Sequence, residues 1–152
     1  MPIQYLFTSP VLFCAWLVAI IYVITVHEFS HALAGHWQGD NIAEDAGRLT
    51  LNPLAHINMM GLGLLILIGF GWGKPVPYNP YNLKAKHWGS ALVGFAGPIA
   101  NLLSVIVFAL VLKVVFMTQV ITQDSALFTF ITFLIEINMV LMVFNLIYTA
   151  IL

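Results

Sequence analysis

His27 and His31 stand four positions apart in the run His27-Glu28-Phe29-Ser30-His31, with Glu28 between them. On an α-helix that spacing puts both imidazoles on one face, one turn apart, where their ring nitrogens can close on a single divalent metal ion. Glu28 then sits beside the ion, placed to take a proton from a water held there. A catalytic zinc commonly has three protein ligands and one open position, and it brings the pKa of its water down to about 7. Two histidines leave one ligand to find. His56, near the end of the loop that leaves the pentad, is the best substitute among the residues present. Asp40, Glu44 and Asp45 read instead as a solvated loop. Glu136, at about 100° per residue, lies on the side of its segment opposite Asn145 and far from Asn138, so it faces away from any site that those asparagines face. His36 and His87 fall near segment ends and take no role.

These residues are set in a chain that is 61% hydrophobic and only 7% charged, with a mean hydropathy of +0.99. A soluble domain carries about 25% charged residues, so lipid is the expected solvent. Ionisable groups joined to a membrane-type helix are costly, and that cost marks function. The net charge of −1 gives no sign of a nucleic-acid partner. Cys14, the single cysteine, permits no internal disulfide and reads as a buried, inert thiol.

Hydrophobic patterning predicts an all-α polytopic membrane protein. Three transmembrane helices are expected, over Pro10–His36, Trp88–Met117 and Ser125–Leu152. A fourth apolar stretch, within 54–73, is short and glycine-rich, and it reads as a re-entrant or tilted segment. Short extended segments are expected in the central loop: Arg48-Leu49-Thr50-Leu51 alternates like a strand. The run Gly73–Pro80 cannot be helical with Pro75, Pro77 and Pro80 in it. Ser90, Gly94 and Gly97 form a small-residue stripe that allows close helix approach, followed by Pro98 and Asn101. Asn101 and Asn145 are candidates for lining a cavity or touching substrate, or for joining helices. Lys74 and Pro75–Pro77 could pair edge-on with an unwound peptide.

Arg48, Lys74, Lys84 and Lys86 lie between the first span and the later ones, and only Lys113 lies elsewhere. The positive-inside bias places this central region, and with it the pentad, toward the cytoplasm. With no Lys or Arg before Arg48, the N-terminal segment reads as a retained span.

The sequence resembles the site-2 protease family of intramembrane zinc metalloproteases, particularly its small bacterial-type members. The resemblance rests on Val26-His27-Glu28-Phe29-Ser30-His31-Ala32, Gly47–Ile57, Gly73-Lys74-Pro75-Val76-Pro77, Gly97-Pro98-Ile99-Ala100-Asn101 and Phe144-Asn145-Leu146-Ile147, in that order. It implies zinc held by His27 and His31, with Glu28 as general base. The implied activity is hydrolysis of peptide bonds in transmembrane protein or peptide substrates, within or near the bilayer. It further implies a third ligand, an aspartate in a leucine-aspartate-glycine motif after the Phe144–Ile147 block. The sequence ends at Leu152 without that motif. The expectation is therefore a single membrane-embedded domain over 1–152, C-terminally truncated, in a bacterial-type plasma membrane. Two alternatives stay open: an impaired pseudo-protease that binds membrane partners, and a metal-binding or transport protein using His27, His31 and His56.

Overall fold

The computed structural model describes residues 2–119 and 121–151, with side chains described as far as Ile147. Six helices carry the chain: α1 (Pro2–Thr8), α2 (Pro10–Trp37), α3 (Ile42–Asp45), α4 (Met59–Ile68), α5 (Gly89–Met117) and α6 (Ala126–Ile151). Three are long and apolar enough to cross a membrane, over Pro10–Trp37, Gly89–Met117 and Ala126–Ile147. With 28 residues at about 1.5 Å each, α2 exceeds a hydrocarbon core of about 30 Å. The protein is a multi-pass membrane protein, and α2, α5 and α6 pack on one another in all three pairings.

Local chemistry explains where these helices begin and end. Pro10 opens α2 at a first-turn position, where its missing N–H breaks no helical bond. The same helix stops at Gln38, beyond which Gly39 takes a positive φ of 93°. Although the sequence reading left residues 2–8 unassigned, they form α1, which leans on α2 and α4. Cys14 does not sit in the core as expected. It faces outward from α2, on the side that meets lipid.

The 54–73 stretch resolves as a hairpin. Asn58 caps α4 by accepting the Gly61 N–H at 3.0 Å, and the helix ends at Gly69, whose φ of 79° turns the chain back. The returning backbone then runs directly against the helix: a Cβ on Gly61 would lie 3.0 Å from the Trp72 nitrogen and closer still to its carbonyl oxygen. Only glycine permits that approach. Ten residues of helix rise about 15 Å, half of what a span needs, so this apolar helix is too short to cross.

No strand occurs among the described residues. The expected extended piece at Arg48-Leu49-Thr50-Leu51 is an irregular turn, because no neighbouring chain offers a ladder. Arg48 turns inward while Leu51 stays exposed. By contrast, Gly73–Asn79 is non-helical, as its prolines require.

Candidate metal centre

The pentad occupies the C-terminal third of α2, where the helix leaves the apolar layer. His27 Nε2 and His31 Nε2 converge to 3.0 Å. Two zinc ligands at about 2.0–2.1 Å in tetrahedral geometry would stand only a few tenths of an ångström further apart. His31 Nδ1 donates to the Val93 carbonyl at 2.7 Å, which leaves its Nε2 lone pair aimed at His27. A backbone carbonyl that fixes the tautomer of a metal-binding histidine is a common supporting contact. The donor set fits two positions of a zinc site. Among the described residues, no third His, Cys, Asp or Glu joins them.

α5 makes the other wall. Gly97 packs against both rings: a Cβ there would fall 2.6 Å from His27 Cε1 and 2.7 Å from its Nε2, and nearer still to His31 Nε2. One turn on, Asn101 is fully buried with its amide against the His27 ring. Asn145, on α6, also faces the His27 ring and donates its Nδ2 to Leu141 O at 2.8 Å. A cavity of about 610 Å³ opens over His27, Glu28 and His31, bordered by the 75–78 segment, the start of α5 and Asn145. The site is thus a largely apolar pocket between helices, to which the two imidazoles, the Glu28 carboxylate and the Asn145 amide bring polar groups.

Glu28 lies on the opposite side of the pentad from α5. The chain from Gly73 to Val76 wraps its carboxylate: a Cβ on Gly73 would be 3.3 Å from Glu28 Oε1, and the Val76 N–H donates to the carboxylate. Arg48, only 3% exposed, stands nearby and donates Nη1 to Pro75 O at 2.9 Å and Nη2 to Lys74 O. In the sequence Arg48 stood out as a charge for topology, in an alternating run and in the Gly47–Ile57 block, and Gly97 in a small-residue stripe and the Gly97–Asn101 block; neither was given a place at the site.

The structure places the remaining sequence candidates as follows. His56 is fully buried and donates from Nε2 to Thr50 O at 2.7 Å; burial pulls its imidazole below the usual histidine range, and it does not join the histidine pair. Its carbonyl accepts the Lys74 N–H at 2.8 Å. Asp40 is not solvated, contrary to expectation. It is 1% exposed and accepts the Asn79 N–H at 2.9 Å and Asn82 Nδ2 at 2.7 Å, anchoring the far end of the extended segment. Glu44 and Asp45 are exposed, and Glu44 lies 3.1 Å from His36 Nδ1. Glu136 points outward, away from the site, as its helical phase requires.

Comparison with known proteins gives two relatives of similar chemistry. The chain is 36% identical over 132 residues to a Bacillus subtilis (strain 168) protein named "Putative zinc metalloprotease YwhC", a match covering 85% of this chain and 60% of that protein. It is also 36% identical over 106 residues to "Putative zinc metalloprotease Rip2" of Mycolicibacterium smegmatis (strain ATCC 700084 / mc(2)155), covering 66% of this chain and 39% of that protein. The chain thus spans about three-fifths of the first relative's length and two-fifths of the second's. No protein-family model and no solved structure matches it.

Proposed function

From the premise that this is a site-2-protease-like chain, we propose that it is a zinc-dependent endopeptidase domain that cleaves membrane protein substrates within or near the bilayer. The observation that carries the reading is the convergence of His27 Nε2 and His31 Nε2 at 3.0 Å, over a cavity that Glu28 also lines. Zinc, when bound, supplies Lewis acidity that activates water and polarises a carbonyl. His27 and His31 would hold the ion through Nε2. Glu28 accepts the proton of the attacking water at its carboxylate and can return it to the leaving amine. Asn101 and Asn145 offer amide donors on the α5 and α6 sides of the cavity, where charge develops on the carbonyl oxygen of the scissile bond.

A membrane helix shields its own amides, so a substrate must unwind locally before its carbonyl can reach this pocket. Residues that weaken helices should therefore favour cleavage, and substrates made all-leucine at the scissile region should resist it. The four basic residues of the central region, Arg48, Lys74, Lys84 and Lys86, support a cytoplasmic position for the pentad end of the molecule.

The test is the full chain in liposomes loaded with zinc, assayed for bound metal and for cleavage of a transmembrane reporter peptide. Glu28→Gln should retain metal and lose cleavage, while His27→Ala and His31→Ala should lose both. Metal retained by the histidine variants, or cleavage retained by Glu28→Gln, would overturn the proposal. Tight metal binding without cleavage by the parent chain would favour a metal carrier instead.

A further inference from the structure

Arg48 is a costly residue in an unusual place. Its guanidinium is buried at the base of the cavity wall, facing Glu28, and it reaches across to a segment 26 and 27 positions later in the chain. Two successive backbone carbonyls, of Lys74 and Pro75, take its two terminal nitrogens. Such a contact requires the planar fork of arginine, since a lysine ammonium is a single point donor on a flexible stem. The segment it holds is built for a fixed path. Pro75 and Pro77 lock φ and lack an N–H, so the Val76 N–H between them is the donor available to Glu28. Lys74 is tied from its other side by its N–H to His56 O at 2.8 Å, and His56 is itself held to Thr50 O. The loop that starts this network is set by Gly47, whose φ of 66° turns the chain, and by the Arg48 N–H donating to Ala43 O at 2.7 Å.

We propose that Arg48 is a positioning residue for the general base: by gripping the Lys74 and Pro75 carbonyls it keeps the Val76 N–H on the Glu28 carboxylate and fixes that carboxylate beside the two imidazoles. This rests on the protease reading for its catalytic consequence but not for the clamp itself. The extended segment borders the cavity through Pro75, Val76 and Tyr78, so one side chain ties the entrance wall to the base. A staple that merely held the loop would contribute to folding and leave the Glu28 geometry untouched. The clamp instead predicts that loosening the segment frees the carboxylate.

The experiment uses the full chain in liposomes, comparing the parent with Arg48→Lys and Arg48→Gln. Three readouts are needed: amide hydrogen exchange over residues 73–79, zinc per chain, and kcat and KM on a transmembrane reporter peptide. Both variants should speed exchange at Val76 about tenfold or more, as expected when a bonded amide opens locally. kcat should fall about 10- to 100-fold, the scale of a catalytic group displaced by about 1 Å. KM should move less than about threefold and zinc content should not change, because no ligand is touched. Unchanged exchange at Val76 overturns the proposal. So does faster exchange with unchanged kcat, or a fall in kcat matched by loss of zinc or of folded protein. A parent chain that cleaves nothing would sink the protease reading alone, and exchange at Val76 would still decide whether Arg48 holds the segment.

Discussion

The two halves of α5 share one helix and one apolar composition but lead different lives. In the first half, Gly89, Val93, Gly97, Pro98, Asn101 and Ser104 are all buried, and the backbone comes within contact of the histidine rings. Beyond Ser104 no residue of the helix is buried, and Ile106, Val107, Leu110, Val111 and Val114 face outward. In lipid there is no hydrophobic drive to bury a leucine, since acyl chains solvate it as well as another helix does. Close packing arises only where small side chains admit a neighbour and polar ones require it. The first half has both, and its burial builds the site; the second half, with Ala109 as its one small residue and Lys113 as its one charge, meets its neighbours through rings, Phe108 on Tyr22 and Phe116 on Phe128, and leaves most of its surface exposed.

The sharpest way to break this contrast is to enlarge one small side chain in each half. Gly97→Ala puts a Cβ within 2.7 Å of His27 Nε2, inside any allowed contact, so the helix or the imidazoles must move. We expect loss of bound zinc and a fall in kcat/KM of about 100-fold or more, measured by metal analysis and reporter cleavage. Full retention of zinc by this variant would mean that α5 does not press on the ligand pair.

A smaller effect is expected at Asn101. Asn101→Ala removes a fully buried amide that interacts with the His27 ring. If it steadies developing charge, kcat should fall about 10- to 100-fold with zinc and KM little changed. If it only joins helices, thermal stability should fall and the kcat of the folded fraction should hold.

What could be read from the sequence divides along the same line. The convergence of His27 and His31 was legible because it is local: four positions on a helix fix the geometry whatever the rest of the chain does. The three spans were legible from hydropathy, and the return of the 54–73 stretch from its shortness and its glycines. Contacts between distant segments were not. His31 meets Val93 across 62 positions, and nothing local marks that carbonyl as its partner. Asp40 looked solvated because it stands among polar residues; its burial depends on Asn79 and Asn82 folding over it. The alternation at Arg48–Leu51 imitates a strand, but a strand needs a neighbour, and Arg48 spends its donors on the 74–75 carbonyls instead.

Ser104 refines the boundary between the halves. It is buried, yet its Oγ donates to Ala100 O at 2.9 Å within its own helix. Ser104→Ala removes a polar atom already satisfied locally, so no buried group is left without a partner. Activity should stay within about threefold of the parent and stability within about 1 kcal/mol. A loss as large as that at Asn101 would push the working half of α5 a turn further along the helix.

The smallest effect belongs to Ala109→Val, the counterpart of the Gly97 change in the outer half. Ala109 is exposed on α5 at the edge of an open groove lined by Leu112, Phe116, Phe128 and Ile135, which has room for an added branch. Valine costs helix propensity of a few tenths of a kcal/mol, which a span with every backbone bond satisfied in lipid absorbs. Zinc content should be unchanged and kcat/KM should stay within about twofold, since single exposed substitutions usually act within about 0.5 kcal/mol. The paired outcome is what discriminates: Gly97→Ala removing activity while the larger change at 109 leaves it intact requires a helix whose function is confined to the face and the half that touch the imidazoles. Comparable losses at both positions would mean instead that the outer half also packs, against a partner helix that covers it in the membrane.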